Sequence, residues 1–167
     1  MLITDKKIRK LVEERQLIAP FSEELLQSES YDVTIGNKVV LFRKDEIQCL
    51  DIANQKDIDS IYQEVDISDD GYVVAPREYI LVQINEKINL PDDISAHIRP
   101  KTRYTRLGLI VSGQHCNSSY AGTLRIGVFN ATDYPIRIRT GYSIAQLVFE
   151  ELNEVASEQK LYRIKES

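Results

Sequence analysis

LPDDISAHIRPKTRYTRLGLIVSGQHCNSSYAG, from Leu90 to Gly122, sets the reading of the whole chain. Within it a basic, hydroxyl-bearing turn (Lys101, Thr102, Arg103, Arg106) precedes an apolar strand from Leu107 to Val111. A polar turn then closes on Tyr120-Ala121-Gly122, and residues 99–106 carry four cations and no acid. That order suits an anion held by the first turn while a small planar group sits in the second. On both sides the chain alternates in short runs. Upstream, Ile80, Val82 and Ile84 fall on one face of a strand over 78–84, with Tyr79 and Leu81 on the other. Downstream, Leu124, Ile126 and Val128 alternate with Arg125, Gly127 and Phe129, the period of a half-buried strand.

Further strands are predicted over 72–74, 96–99, 109–111, 136–138 and 144–150. Near residue 31 the segment around Val33 and Ile35 leads to a turn at Gly36-Asn37 and a strand over 39–42. Many short strands with turn residues about every 8 to 12 positions predict a mostly β fold, a distorted jelly roll or β-barrel. At the N-terminus Thr4 can cap a helix over 5–16, with Ile8, Leu11 and Val12 giving its apolar face, until Pro20 ends the pattern. A short second helix is predicted over 22–27. Residues 43–71 read as a polar excursion with one strand near 61–67, and residues 153–167 as a charged tail that is peripheral or reaches across to a neighbouring subunit.

A chain of 167 residues is one domain, here residues 1–167. A net charge of −5 argues against a nucleic-acid footprint. No apolar run approaches the roughly 18 residues of a spanning helix, and MLITDKKIRK lacks a signal-peptide core, so no membrane partner and a cytoplasmic location are expected. Cys49 and Cys116, outside any CxxC pair, are expected as reduced thiols.

The opening MLITDKKIRKLVEERQLIAPF, then SESYDVTIGN, LPDDISAHIRPKTRYTRLGL, YAGTLRIGVFN and GYSIAQLVFE, resemble in order and spacing the dCTP deaminase family, of the superfamily that includes the trimeric dUTPases. The resemblance implies a dUTPase-like β-clip subunit in a homotrimer, with nucleotide sites at subunit interfaces and dCTP, dUTP or dTTP as ligand. It implies Mg²⁺ carried on the triphosphate, and conversion of dCTP to dUTP and ammonia. The family's phosphate loop falls on Lys101, Thr102, Arg103 and Arg106, where Arg103 stands in place of the usual serine. Gln146 matches a glutamine that helps to hold the triphosphate, and Tyr120, Arg125, Ile126 and Gly127 line the implied base and sugar pocket. Tyr162 stands for the aromatic of the deaminase tail.

The departures concern proton transfer. The family's general-base glutamate falls on Gly127, and the aspartate of the preceding turn on Asn117, so neither catalytic position carries an acid. Without the HxE…PCxxC frame of zinc deaminases, no zinc is expected, and a carboxylate within about 3 Å of the attacking water would have to do the work. Asn117 offers an amide to a ribose hydroxyl or base edge. Gly127 would clear space and bare its backbone groups. His115 is a candidate replacement base. His97 reads as structural, and Asp32 as satisfying a turn or an interface. Arg106 is the cation retained for phosphate or catalysis. Four readings stay open: a dCTP deaminase of reduced efficiency, a catalytically lapsed nucleotide-binding or regulatory trimer, a dUTP diphosphatase-like hydrolase, and a purely structural or protein-interaction trimer with no small-molecule site.

Overall fold

The computed structural model describes residues 1–43 and 49–156. In chain order its strands are β1 (Ile18–Ala19), β2 (Tyr31–Phe42), β3 (Tyr62–Asp66), β4 (Tyr72–Val74), β5 (Tyr79–Asn89) and β6 (Ile94–Pro100). β7 (Leu109–Val111), β8 (Gln114–Cys116), β9 (Ala121–Asn130), β10 (Ile136–Ile138) and β11 (Ser143–Glu151) follow. Three helices accompany them: α1 (Asp5–Arg15), α2 (Gln55–Ser60) and α3 (Thr102–Leu107). The main sheet is antiparallel and runs β7-β9-β5-β2-β11-β6-β8, with β1 added on β5 and β3 on β2; β4 and β10 pair separately. The expected mostly β, jelly-roll-like architecture is therefore the observed one.

The sheet is curled because β2 serves two leaves. Residues 31–34 pair with β11, whereas Ile35, Val39 and Val40 pair with β5, and the register shifts between Ile35 and Val39. The expected turn at Gly36-Asn37 is absent: the strand runs straight through. A Cβ at Gly36 would fall 2.8 Å from the Gln83 carbonyl oxygen, so the missing side chain lets the two backbones approach where the leaves diverge. Both faces of β2 are covered there, from Tyr31 to Gly36.

Where β2 changes partner, Thr34 is served by a side chain. The buried Glu86 carboxylate accepts the Thr34 N–H at 2.9 Å and its hydroxyl at 2.7 Å. Around this point Val33, Ile35, Val82, Ile84, Ile126, Val128, Leu147 and Phe149 form the core between the leaves.

The N-terminal helix ends one residue early, at Arg15, with Gln16 in the left-handed region (φ 53°) and its N–H on the Leu11 and Val12 carbonyls. Thr4 occupies the N-cap position without a side-chain capping bond. Ile8 and Leu11 are the buried face, as their spacing requires. The expected helix over 22–27 is a single 3₁₀ turn at Glu23–Leu25, tied down where the Ser22 N–H donates to the Tyr31 hydroxyl and Phe21 stacks on the Tyr31 ring. The polar excursion contains α2 and β3, the latter close to the predicted strand. Residues 157–167, including Tyr162, lie outside the described residues. Cys116 is buried and Cys49 exposed, both as free thiols.

Burial raises the Glu86 carboxyl above its ordinary range, although the Thr34 donors pull it partly back. The folded state therefore binds more protons than the unfolded chain between the ordinary and the raised value, and stability falls as pH rises through that window. Glu86→Gln keeps an acceptor for Thr34 and has no charge to bury. The variant should show a flatter stability–pH curve in the mildly acidic range, and its melting temperature at neutral pH should equal or exceed wild type by up to about 4 °C. Thermal melts at several pH values check this.

Candidate functional site

The register places three polar residues on the outer face of one leaf. Asp32 lies opposite Gln146, which lies opposite Arg99. Directly paired residues point to the same side of a sheet, whereas Ala145 and Leu147 point the other way and are fully buried. Lys101 follows this face at the N-cap of α3 and donates to the Asp32 carboxylate and, at 3.1 Å, to the Ser143 hydroxyl. Both ion-pair side chains are largely covered, at 21% and 10% exposure. The Tyr104 hydroxyl donates to the Ser143 carbonyl at 2.5 Å, and burial pushes that phenol up. Ser30 reaches the Gln146 amide oxygen at 3.4 Å.

The predicted basic turn over Lys101–Arg106 is thus mostly a short helix, α3, anchored through its one buried ring, Tyr104. The Arg103 guanidinium lies 5.4 Å from the centre of that ring. Thr102, Arg103 and Arg106 are exposed, as is Arg99 on the neighbouring strand. Among the described residues these three arginines have no carboxylate partner, whereas Lys101 is held by one.

A second group lies at the other end of β6. β8 pairs Cys116 with Ala96 and His115 with His97. His115 Nε2 lies 3.0 Å from Asn117 Oδ1, and the two histidine Nδ1 atoms are 3.3 Å apart. His97 Nε2 approaches Glu150 Oε2 at 3.4 Å. Cys116 points inward, and burial pushes its thiol up to about 11, which makes it unreactive at neutral pH. Tyr120 packs against the core from a half-buried position.

A third group is on β9. Arg125 is bound to Glu64 at 2.7 Å, whose carboxylate is held low first by its hydrogen bond from Lys38. Ile126 is fully buried in the core. The backbone of Gly127 is not bare: its N–H donates to the Ser112 hydroxyl at 3.0 Å, and its carbonyl accepts the Ser112 N–H at 2.8 Å. Nor is the space empty. A Cβ at Gly127 would fall 2.1 Å from the Tyr79 hydroxyl and 2.7 Å from Ser112 Oγ.

One chain does not bring all of these residues together. Cys116 is level with Ala96, and Lys101 lies five residues further along the chain from that point. At about 3.3 Å per residue the Asn117 turn and the cationic helix are separated by roughly 16 Å.

The model of the dCTP deaminase-like family matches residues 2–152. The chain belongs to that family. A dUMP-forming dCTP deaminase of Nanoarchaeum equitans is 32% identical, over 96% of this chain and 89% of its own. The dCTP deaminase of Pyrococcus furiosus is 33% identical, over 91% and 83%. Among solved structures, 2'-deoxycytidine 5'-triphosphate deaminase from Agrobacterium tumefaciens superposes with a TM-score of 0.70 at 24% identity. That match covers 88% of this chain but 47% of the other, so this chain spans about half the length of that protein. The dUTPase of Staphylococcus bacteriophage 80alpha shares the fold at a TM-score of 0.52 and 14% identity, over 85% of this chain and 93% of its own.

Within this family frame, three residues that matter to the site went unread in the sequence. Ser143, Ser112 and Tyr79 act through contacts 15 to 48 residues away along the chain, and a lone serine or tyrosine carries no periodicity to reveal that.

The half-buried Lys101–Asp32 pair should be structural as well as local. Asp32→Ala leaves the ammonium with only Ser143, and urea unfolding should show a loss of about 1–3 kcal/mol. Arg106→Ala, at a residue that is exposed and has no carboxylate partner among the described residues, should leave the urea midpoint unchanged.

Proposed function

We propose that this protein binds a pyrimidine deoxynucleoside triphosphate at a site shared between two copies of the chain, and that it deaminates such a nucleotide slowly at best. The observation that carries the reading is the filled space at Gly127, where the Tyr79 hydroxyl and Ser112 Oγ occupy the position a side chain would need. In the family this position holds the general-base glutamate. A glycine offers no proton acceptor there, and the Asn117 amide takes up no proton at neutral pH. Loss of a general base forfeits about 10²–10⁴ in rate and need not touch binding.

What supports binding is the cationic face. Arg99, Arg103 and Arg106 are exposed and unneutralised among the described residues, and Gln146 lies beside Arg99 on the same face. Guanidinium groups match phosphate oxygens two at a time. The separation along β6 supports a shared site: a triphosphate on α3 of one copy would meet the Asn117 turn of another, as in the homotrimer the resemblance implies. Among the described residues no three His, Cys, Asp or Glu side chains converge on a metal site. Magnesium in this reading arrives on the triphosphate, whose oxygens and waters satisfy it without a protein cage.

Two measurements test the reading. Calorimetry should show dCTP or dUTP binding with a micromolar dissociation constant, about −8 kcal/mol. Arg106→Ala should weaken it roughly tenfold, while Lys10→Ala on α1 should not. No heat of binding from dCTP, dUTP or dTTP would remove the proposal. Chromatography of dCTP after prolonged incubation should show little dUTP. Rapid formation of dUMP and diphosphate would place the chain with its dUMP-forming relatives and overturn the claim of slow chemistry.

A further inference from the structure

The two sides of the proposed site differ in what they have left to offer a ligand. On the base side the residues are already committed. Tyr120 packs against the core and Ile126 is fully buried in it. The Arg125 guanidinium is bound at 2.7 Å to Glu64, which Lys38 also holds. Both backbone groups of Gly127 are taken by Ser112, at 3.0 and 2.8 Å. The room beside Gly127 belongs to Tyr79. This residue is paired with Phe129, two positions along β9, so its ring leans diagonally across the ladder. Its hydroxyl lies 2.1 Å, and its ring carbon Cζ 2.9 Å, from where a Cβ on residue 127 would be. The ring packs on Phe42 with 5.3 Å between centres, and Phe42 on Tyr62 at 5.4 Å, so swinging it aside gives up an aromatic contact. On the phosphate side the opposite holds. Arg99, Arg103 and Arg106 are exposed and have no carboxylate partner among the described residues. Hydrogen bonds from such cations to phosphate are roughly twice as strong as those between neutral groups.

We propose that this site reads the polyphosphate and not the base, and that Tyr79 is the residue that removes base selectivity. Its ligand class is then a triphosphate anion, carried by a pyrimidine nucleotide, by a purine nucleotide or by inorganic tripolyphosphate. This rests on the reading of the arginine face as a triphosphate site. With Tyr79 in the room beside Gly127, a base stays outside it, where its size and edge count for little. The hydroxyl that Tyr79 brings does not restore the choice. A phenol donates or accepts by turning about its C–O bond, so a cytosine amino group and a uracil carbonyl suit it alike, whereas a carboxylate only accepts. The same arrangement slows chemistry for a reason separate from the missing acid: a ring that is not held cannot meet a water in a fixed geometry.

Calorimetry on the full chain, with dCTP, dATP, inorganic tripolyphosphate and dCMP as probes, tests this. The first three should bind within about fivefold of one another, and dCMP, which keeps the base and loses two phosphates, at least about thirtyfold more weakly than dCTP. Arg106→Ala should weaken dCTP, dATP and tripolyphosphate by the same factor. Tyr79 is 41% exposed, so the fold tolerates Tyr79→Ala, which opens the room beside Gly127. In that variant dCTP should gain at least about fivefold over tripolyphosphate, since the base now buries apolar surface. Tyr79→Leu, which keeps a contact with Phe42, should show the same gain and replaces the smaller variant if a melting curve shows that one unfolded. Binding of dCTP more than about fivefold tighter than both dATP and tripolyphosphate in wild type leaves the proposed function standing and overturns this inference. So does dCMP binding as tightly as dCTP. A ratio of dCTP to tripolyphosphate that is unchanged in both Tyr79 variants overturns the part given to Tyr79. If tripolyphosphate binds and no nucleotide does, it is the proposed function that fails while the polyphosphate reading stands; if nothing binds, both fail.

Discussion

The buried meeting of Thr34 with Glu86 is the constraint on which the rest of this subunit depends. β2 has to leave β11 and join β5 within a few residues, and no strand can keep an unbroken ladder through such a change. The Thr34 N–H would be stranded in a dry interior, at the cost that attends any unsatisfied buried donor. Glu86 supplies the acceptor from the neighbouring strand, and Gly36 lets the two backbones close up beside it. A carboxylate is a costly way to fill this role, since burial opposes its charge. Its advantage is geometric: two oxygens receive both Thr34 donors from one side chain.

Curling the sheet at this point decides where polar residues can be. The concave faces of both leaves are sealed into one core, so apart from Glu86 the charged side chains gather on the outer faces. On the leaf of β2, β11, β6 and β8 the outward positions read Asp32, Gln146, Arg99, His97, His115 and Glu150. Register brings together residues from four strands that lie far apart along the chain. The histidine pair sits mid-way along β6, and the cationic residues gather at its C-terminal end and on α3.

Much of this was legible in the sequence. The 3.6-residue spacing of Ile8 and Leu11, and the alternation through β5 and β9, gave the helix and the central strands because periodicity survives packing. Family motifs gave the loop from Lys101 to Arg106. What failed is instructive. Gly36-Asn37 reads as a turn because that dipeptide favours one, yet here glycine serves a close approach in a strand buried on both faces. The segment Lys101–Arg106 reads as an open turn because it is basic, while Tyr104 folds it into a helix by reaching Ser143. Gly127 reads as empty space, and the side chains of Tyr79 on the adjoining β5 and of Ser112, just after β7, fill it. In each case a tertiary neighbour overrode a local signal.

The charge of the site follows from the same geometry and not from composition. The chain is acidic, at −5 overall, but screening confines the influence of exposed charges to about 8 Å at physiological ionic strength. An anion at α3 would therefore respond to the few groups around it. Of the four cations between residues 99 and 106, Lys101 is already neutralised by Asp32 and half-buried. The field that remains comes from Arg99, Arg103 and Arg106, all guanidinium groups with fixed forks and weak hydration. The lysine's part is then to hold α3 against the leaf through Asp32 and Ser143, so that the arginines are presented from a rigid edge. A triphosphate bound there, as proposed, would gain from an arrangement whose ordering cost was met when the chain folded.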